Sequence, residues 1–181
     1  MLIILVFLAV FFIIRFLFFF FGPYIEYRRS IKIKNKTEKI PFISVIIPAR
    51  NEENNIERAI RAVTKSNFPK QNFEIIAIDD RSIDETPKIL DNLSTEIKNL
   101  KVIHLTDSTR NQNLIGKAGA LDAGIKAASG EIIMMTDADC EVHPNWINTI
   151  SKYFVDESVG IVPSYTIMET SNLFHKIQAT E

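Results

Sequence analysis

The spacing of apolar positions changes along the chain. From Leu2 to Phe21 they are almost unbroken Leu, Ile, Val and Phe, about the length a helix needs to cross a bilayer. Gly22-Pro23 closes that stretch, and a polar segment follows from Ser30 to Lys39. From Pro41 onward, short apolar runs alternate with helical stripes. Phe42 to Ile47 predicts a strand closed by Pro48, and Ile56, Ala59, Ile60 and Val63 predict one buried face of a helix beginning near Glu52. Phe73 to Ile78 predicts a second strand. Ser82 and Glu85 have the spacing of a capping box before a helix whose apolar face is Ile89, Leu90, Leu93 and Ile97. Lys101 to Leu105 predicts a third strand, and Ala118, Leu121, Ile125 and Ala128 mark a helix leading to a strand over Ile132 to Met135. Strand and helix in turn is the pattern of an α/β fold, a mostly parallel sheet with helices on both faces.

That last strand, apolar at every position and preceded by Gly130, is expected to be buried on both faces. It delivers Asp137 and Asp139 to its carboxyl end, where ligands gather in open α/β sheets. In an extended chain the two acids share one side and Ala138 points away. Converging carboxylates suit a hard divalent cation, Mg²⁺ or Mn²⁺, and an ion held there suits a diphosphate. Acids in such loops also cap helices or face water. An Asp-x-Asp after an apolar strand is also how haloacid-dehalogenase-type phosphatases present a nucleophile, but there the motif follows the first strand, and here three strand-like segments precede it.

Charge and composition narrow the picture. Net charge is −1 at neutral pH and the globular part has no basic patch, which gives no signal for nucleic acid. Cys140 is the single cysteine, so there is no disulfide framework. Residues 1–22 are expected to form a transmembrane helix in which Arg15 is the misfit, and residues 23–40 a basic juxtamembrane linker. Arg28, Arg29, Lys32, Lys34, Lys36 and Lys39 all follow the span, which predicts a cell-membrane protein with its globular part in the cytoplasm.

Three loops are thus expected at the carboxyl ends of three strands: Pro48-Ala49-Arg50-Asn51-Glu52, Asp79-Asp80-Arg81-Ser82, and the loop of Asp137 and Asp139. With Gly116-Lys117-Ala118-Gly119-Ala120-Leu121 before the third, their order resembles the motifs of family 2 glycosyltransferases with the GT-A fold. The likeness runs from about Pro41 to the end, as the N-terminal part of such a domain. It implies that Pro48, Ala49, Arg50 and Glu52 line a nucleotide pocket, that Asp79 and Asp80 belong to the donor site with Asp80 reading the base, and that Lys117 lies near the diphosphate. It further implies that Asp137 contacts the ribose or sugar and that Asp139 coordinates Mn²⁺ or Mg²⁺. Partners implied are a nucleotide-sugar donor, with UDP as the expected nucleotide, a lipid or glycan acceptor, and the membrane. Arg110 is read as a solvated surface residue, with a phosphate contact as the alternative.

The resemblance also implies inversion, with a carboxylate general base in a later acidic motif. Neither Glu169 nor Glu181 has the expected surroundings, so the base is expected beyond Glu181. The alternative to a complete transferase is a nucleotide-sugar-binding fragment without turnover. A nucleotidyltransferase is disfavoured because no glycine-rich basic loop follows the first strand. His143 near the acidic pair is read as structural before a metal ligand, Trp146 as helix packing under the site before a border of the acceptor groove, and His104 and His175 as not catalytic. Asn172 to Glu181 is read as an amphipathic helix.

Overall fold

The computed structural model describes residues 2–33, 40–106, 114 and 116–164, with side chains of the first helix described at 6–19, 21 and 22. Lys34, Lys36, Lys39, Arg110, Glu169, His175, Glu181 and the helix expected at 172–181 lie outside the described residues, as do the side chains of Arg28, Arg29 and Lys32. Two compact units are distinguished among them, α1 (Leu2–Ile33) with residues 152–160, and residues 40–151 with 161–164.

Helix α1 passes through Gly22-Pro23, where the apolar stretch was expected to close, and runs to Ile33. A proline inside a helix removes one backbone donor, and the turns on either side retain theirs. The described apolar side chains of α1 stand exposed, Phe7 at 73% and Phe18 at 74%, and the Arg15 guanidinium lies 5.7 Å from the Phe19 ring centroid. The described side chains cover less than a full crossing. No helix among the described residues is long and apolar enough to cross a membrane, so the span expected over residues 1–22 is not shown.

The other unit is a parallel sheet in the order β3-β2-β1-β4, from β1 (Ile43–Ala49), β2 (Phe73–Asp79), β3 (Leu100–His104) and β4 (Ile132–Met135). Helices α2 (Ile56–Thr64) and α3 (Thr86–Glu96) pack together, with α3 against β2 and β3. On the opposite face α4 (Lys117–Ala127) lies against β1 and β2, while α5 (Trp146–Ser151) follows β4. The core is branched and aliphatic, with Ile43, Val45, Ile46 and Ile47 of β1 and Ile75, Ile76 and Ile78 of β2 fully buried. This is how a central parallel strand covered on both faces should read.

Four expectations need correction. Pro48 lies inside β1 instead of ending it. Its nitrogen falls on the β4 side, where pairing has already stopped at Ile46 opposite Met135, so no ladder bond is lost. Helix α2 starts at Ile56, four residues later than expected. Strand β4 is not buried on both faces: among the described residues it pairs with β1 alone, and Ile133 is 37% and Met135 45% exposed. The stripe expected on α4 is only partly observed: Leu121 and Ala128 pack against the core, Ala118 and Ile125 are exposed, and Gly119, Ala120 and Gly124 are the residues buried on the sheet. A Cβ on Gly124 would lie 2.7 Å from Ile46 Cγ2 and 2.8 Å from Ile78 Cδ1, so close helix-to-sheet approach selects the small face over the apolar one.

Candidate donor-binding site

The chain proceeds from β1 to β2 and β3 on one side, then returns across β1 to β4 on the other. The topological switch point is therefore between β1 and β4, where loops diverge and leave a crevice beyond the carboxyl ends of the strands. A cleft of about 360 Å³ lies there. It gathers Pro48, Ala49, Arg50 and Glu52 after β1, Asp80 after β2, Lys117 at the start of α4, and Asp137 and Asp139 after β4. Gly116, Ala120 and Ala138 complete its lining, and none of the three was anticipated as a site residue. Gly116 has φ 63°, so it turns the chain into α4 in a conformation open to glycine, and the amino terminus of α4 faces the cleft. A helix amino terminus with a lysine at its first position is suited to an anion.

Asp79 departs from the expected grouping. It ends β2 on the opposite face from the cleft, since successive side chains alternate, and it is only 3% exposed. Its Oδ1 accepts the Ser82 amide at 3.0 Å, and its Oδ2 lies 3.0 Å from His104 Nδ1. Asp80, the next residue, faces the cleft. Its amide extends the ladder to the Ala49 carbonyl at 2.8 Å, and Arg81 Nε donates to its Oδ1 at 3.0 Å.

The first two loops are locked to each other. Asn51 and Arg81 both adopt positive φ, 55° and 57°. The Asn51 amide donates to Ser82 Oγ at 2.9 Å, while the Ile83 amide donates to Asn51 Oδ1 at 2.9 Å. Glu52 donates its amide to Thr86 Oγ1 at 2.8 Å and Glu53 to Asp84 Oδ2 at 3.2 Å. Asn51 is thus a clamp between loops and not a simple helix cap. The capping box expected of Ser82 and Glu85 is not formed, because Ser82 Oγ is taken by Asn51, and Asp84 Oδ1 accepts the Thr86 amide at 3.0 Å instead.

Asp137 and Asp139 converge by a different geometry from the extended one expected. Strand β4 ends at Met135 and the acids sit in a turn closed by the Cys140 amide on the Asp137 carbonyl at 3.2 Å. Ala138 turns inward and is 3% exposed, leaving both carboxylates exposed. The ligand atoms of Asp137, Asp139 and Cys140 lie within 4.8 Å of one another. Two carboxylates this close fit a divalent cation such as Mn²⁺ or Mg²⁺. Lys117 is ion-paired with Asp137, and Arg58 Nη2 donates to the Asp139 carbonyl at 3.3 Å, steadying the turn. His143 plays a local part, its Nδ1 accepting the Asn145 amide at 3.1 Å ahead of α5.

A parallel α/β sheet that brings paired acids, a basic helix terminus and Asp80 to one cleft matches the class of the glycosyltransferases. The chain belongs to glycosyl transferase family 2, whose model matches residues 44–178. It is 36% identical over 124 residues to glycosyltransferase AglE of Haloferax volcanii, covering 66% of this chain and 39% of that protein. It is 34% identical over 129 residues to a beta-monoglucosyldiacylglycerol synthase of Trichormus variabilis, covering 71% of this chain and 27% of that one. Among solved structures, the mannosyltransferase PcManGT of Pyrobaculum calidifontis in complex with GDP-Man and Mn²⁺ superposes with a TM-score of 0.61 at 26% identity, over 78% of this chain and 42% of its own. Staphylococcus aureus TarS in complex with UDP-GlcNAc superposes with a TM-score of 0.53 at 31% identity, over 64% and 31%. The chain therefore spans well under half the length of these relatives.

Proposed function

We propose that this chain carries the donor site of an inverting, metal-dependent glycosyltransferase that moves a sugar from a nucleoside-diphosphate donor, a UDP-sugar, to a lipid or cell-envelope glycan acceptor. The observation that carries the reading is the meeting of Asp80, Lys117, Asp137 and Asp139 on one cleft at the switch point of the sheet. Asp80 accepts a hydrogen bond from the base, and the loop 48–52 walls the ribose. Lys117 and the amino terminus of α4 hold the diphosphate, while Asp137 orients the ribose or sugar and Asp139 holds the cation. Mn²⁺ or Mg²⁺, when bound, supplies charge neutralisation for the departing nucleoside diphosphate. Support for the metal and the donor comes from relatives solved with GDP-Man and Mn²⁺ and with UDP-GlcNAc. Support for a lipid acceptor comes from the glucosyldiacylglycerol synthase relative.

Membrane attachment through residues 2–21, with the domain on the cytoplasmic side, belongs to the same proposal. It is supported by the apolar run itself and by the cations that follow it. The test is calorimetry of the whole protein with UDP and Mn²⁺. Asp139→Ala should abolish Mn²⁺-dependent binding, and Asp80→Ala should weaken UDP more than pyrophosphate. Undiminished UDP binding by Asp139→Ala removes the metal assignment, and equal losses in Asp80→Ala remove the base assignment.

A further inference from the structure

We infer that His104 is a positioning residue for the donor site, a protonated bridge between Asp79 and Asp91 that holds the turn carrying Asp80 and makes nucleotide affinity depend on pH. This rests on the reading of the cleft given above. His104 ends β3 in register with Asp79 of β2, so both side chains lie on the face covered by α3. Its Nδ1 lies 3.0 Å from Asp79 Oδ2 and its Nε2 lies 3.1 Å from Asp91 Oδ1 on α3. An ionised carboxylate only accepts, and a neutral imidazole carries one N–H, so both contacts are hydrogen bonds only when the ring is imidazolium.

The buried Asp79 carboxylate transmits this state. Its other oxygen holds the Ser82 amide, and Ser82 Oγ in turn holds the Asn51 amide, so the ring is two hydrogen bonds from Ser82 in the Asp80 loop and three from Asn51 in the first loop, the two loops that wall the nucleotide end of the cleft. Among the described residues, the charged groups meeting the ring are Asp79 from β2 and Asp91 from α3. Lys88 on α3 bonds Glu85, and Lys101 of β3 is on the opposite sheet face with its ammonium 3.4 Å from the Ala127 carbonyl. The hydrogen bond to Asp79, partly opposed by burial and reinforced by Asp91, raises the His104 pKa above its ordinary value. A raised folded-state pKa means the bridge is complete below the unfolded value of about 6.5 and is lost as pH rises through the folded value.

The experiment measures affinities of the whole protein for UDP and for pyrophosphate, each with Mn²⁺, from about pH 6 to about pH 8.5, the range over which a histidine can titrate. Wild type is compared with His104→Asn, whose amide can replace the Nδ1 donor without titrating, and with His104→Ala. Titrations of ligand and metal are common to all three proteins and cancel in the comparison. At the acid end, His104→Ala should bind UDP about tenfold more weakly, the size of one hydrogen bond to a charged group. Its pyrophosphate affinity should be unchanged, and His104→Asn should recover most of the UDP loss. The ratio of wild-type to His104→Asn affinity should fall as pH rises. A constant ratio, equal losses for UDP and pyrophosphate, or wild-type affinity in His104→Ala overturns the inference while leaving the donor site in place. Wild-type protein that binds no UDP at any pH overturns the reading of the cleft and the inference with it.

Discussion

Gly130 determines how closely β4, and with it the acidic turn, lies against the centre of the sheet. A Cβ at this position would stand 2.4 Å from the Ser44 amide nitrogen, 2.8 Å from Ser44 Oγ and 2.9 Å from the Ile43 carbonyl carbon. Ordinary Cβ contacts begin near 3.4 Å, so the overlap is about 1 Å and falls on backbone of the central strand. Ser44 is fully buried and cannot retreat, since its Oγ donates to Glu74 Oε1 at 2.6 Å and accepts the Gly130 amide at 2.9 Å. Gly130→Ala must therefore push β4 outward, stretching that bond and the 2.8 Å bond from the Glu131 amide to the Phe42 carbonyl. Overpacking of this kind costs about 1 to 3 kcal/mol and a weakened hydrogen bond about 1 more, a total of about 2 to 4 kcal/mol. For a domain of this size that is a fall in Tm of about 10 °C. Thermal unfolding followed by circular dichroism is the assay, with Gly160→Ala as control because a Cβ there meets nothing within 4 Å. Because the turn of Asp137 and Asp139 follows directly on β4, Mn²⁺ affinity should fall with it. A Gly130→Ala protein that melts within about 2 °C of wild type, less than about 1 kcal/mol, would refute the packing argument.

Other perturbations read the site separately. Lys117 and Asp137 are 59% and 50% exposed, so their pair contributes at most about 1 kcal/mol to stability. Lys117→Met should leave Tm nearly unchanged and free Asp137, tightening Mn²⁺ binding a few-fold in the absence of nucleotide while weakening UDP binding. Electron paramagnetic resonance titration of Mn²⁺ checks this, and weaker Mn²⁺ binding without UDP would count against competition between lysine and metal. Ser44→Ala leaves the Gly130 amide without its acceptor and Glu74 Oε1 with only the Ser129 amide at 2.7 Å, which should lower unfolding free energy by about 1 to 3 kcal/mol in urea. A loss below about 0.5 kcal/mol would mean that water replaces the serine hydroxyl.

The order of elements and the residues of the cleft were legible in the chain because they rest on local regularities. The runs that became β1, β2 and β4 are short, apolar and bounded by polar loops, and among the described residues every donor or metal candidate except Asp79 lines the cleft. Those features depend on composition and on the distance along the chain to the next turn, both of which are present in the residues themselves. Asp79 and Asp80 are adjacent and chemically identical, and their opposite duties follow from which face of β2 each occupies and from His104 arriving beside one of them. Ser82 had the spacing of a helix cap, yet its hydroxyl went to Asn51, a residue 31 positions away that offered a better-placed donor. The inward face of α4 was only half legible, with Leu121 and Ala128 on the core and Ala118 and Ile125 exposed, for a related reason. Periodicity favours the apolar stripe, but only glycine and alanine allow the helix within contact distance of Ile46 and Ile78. Partner choice between distant segments is settled by packing distance and hydrogen-bond competition after the strands have paired, and neither quantity is written in the spacing of the residues.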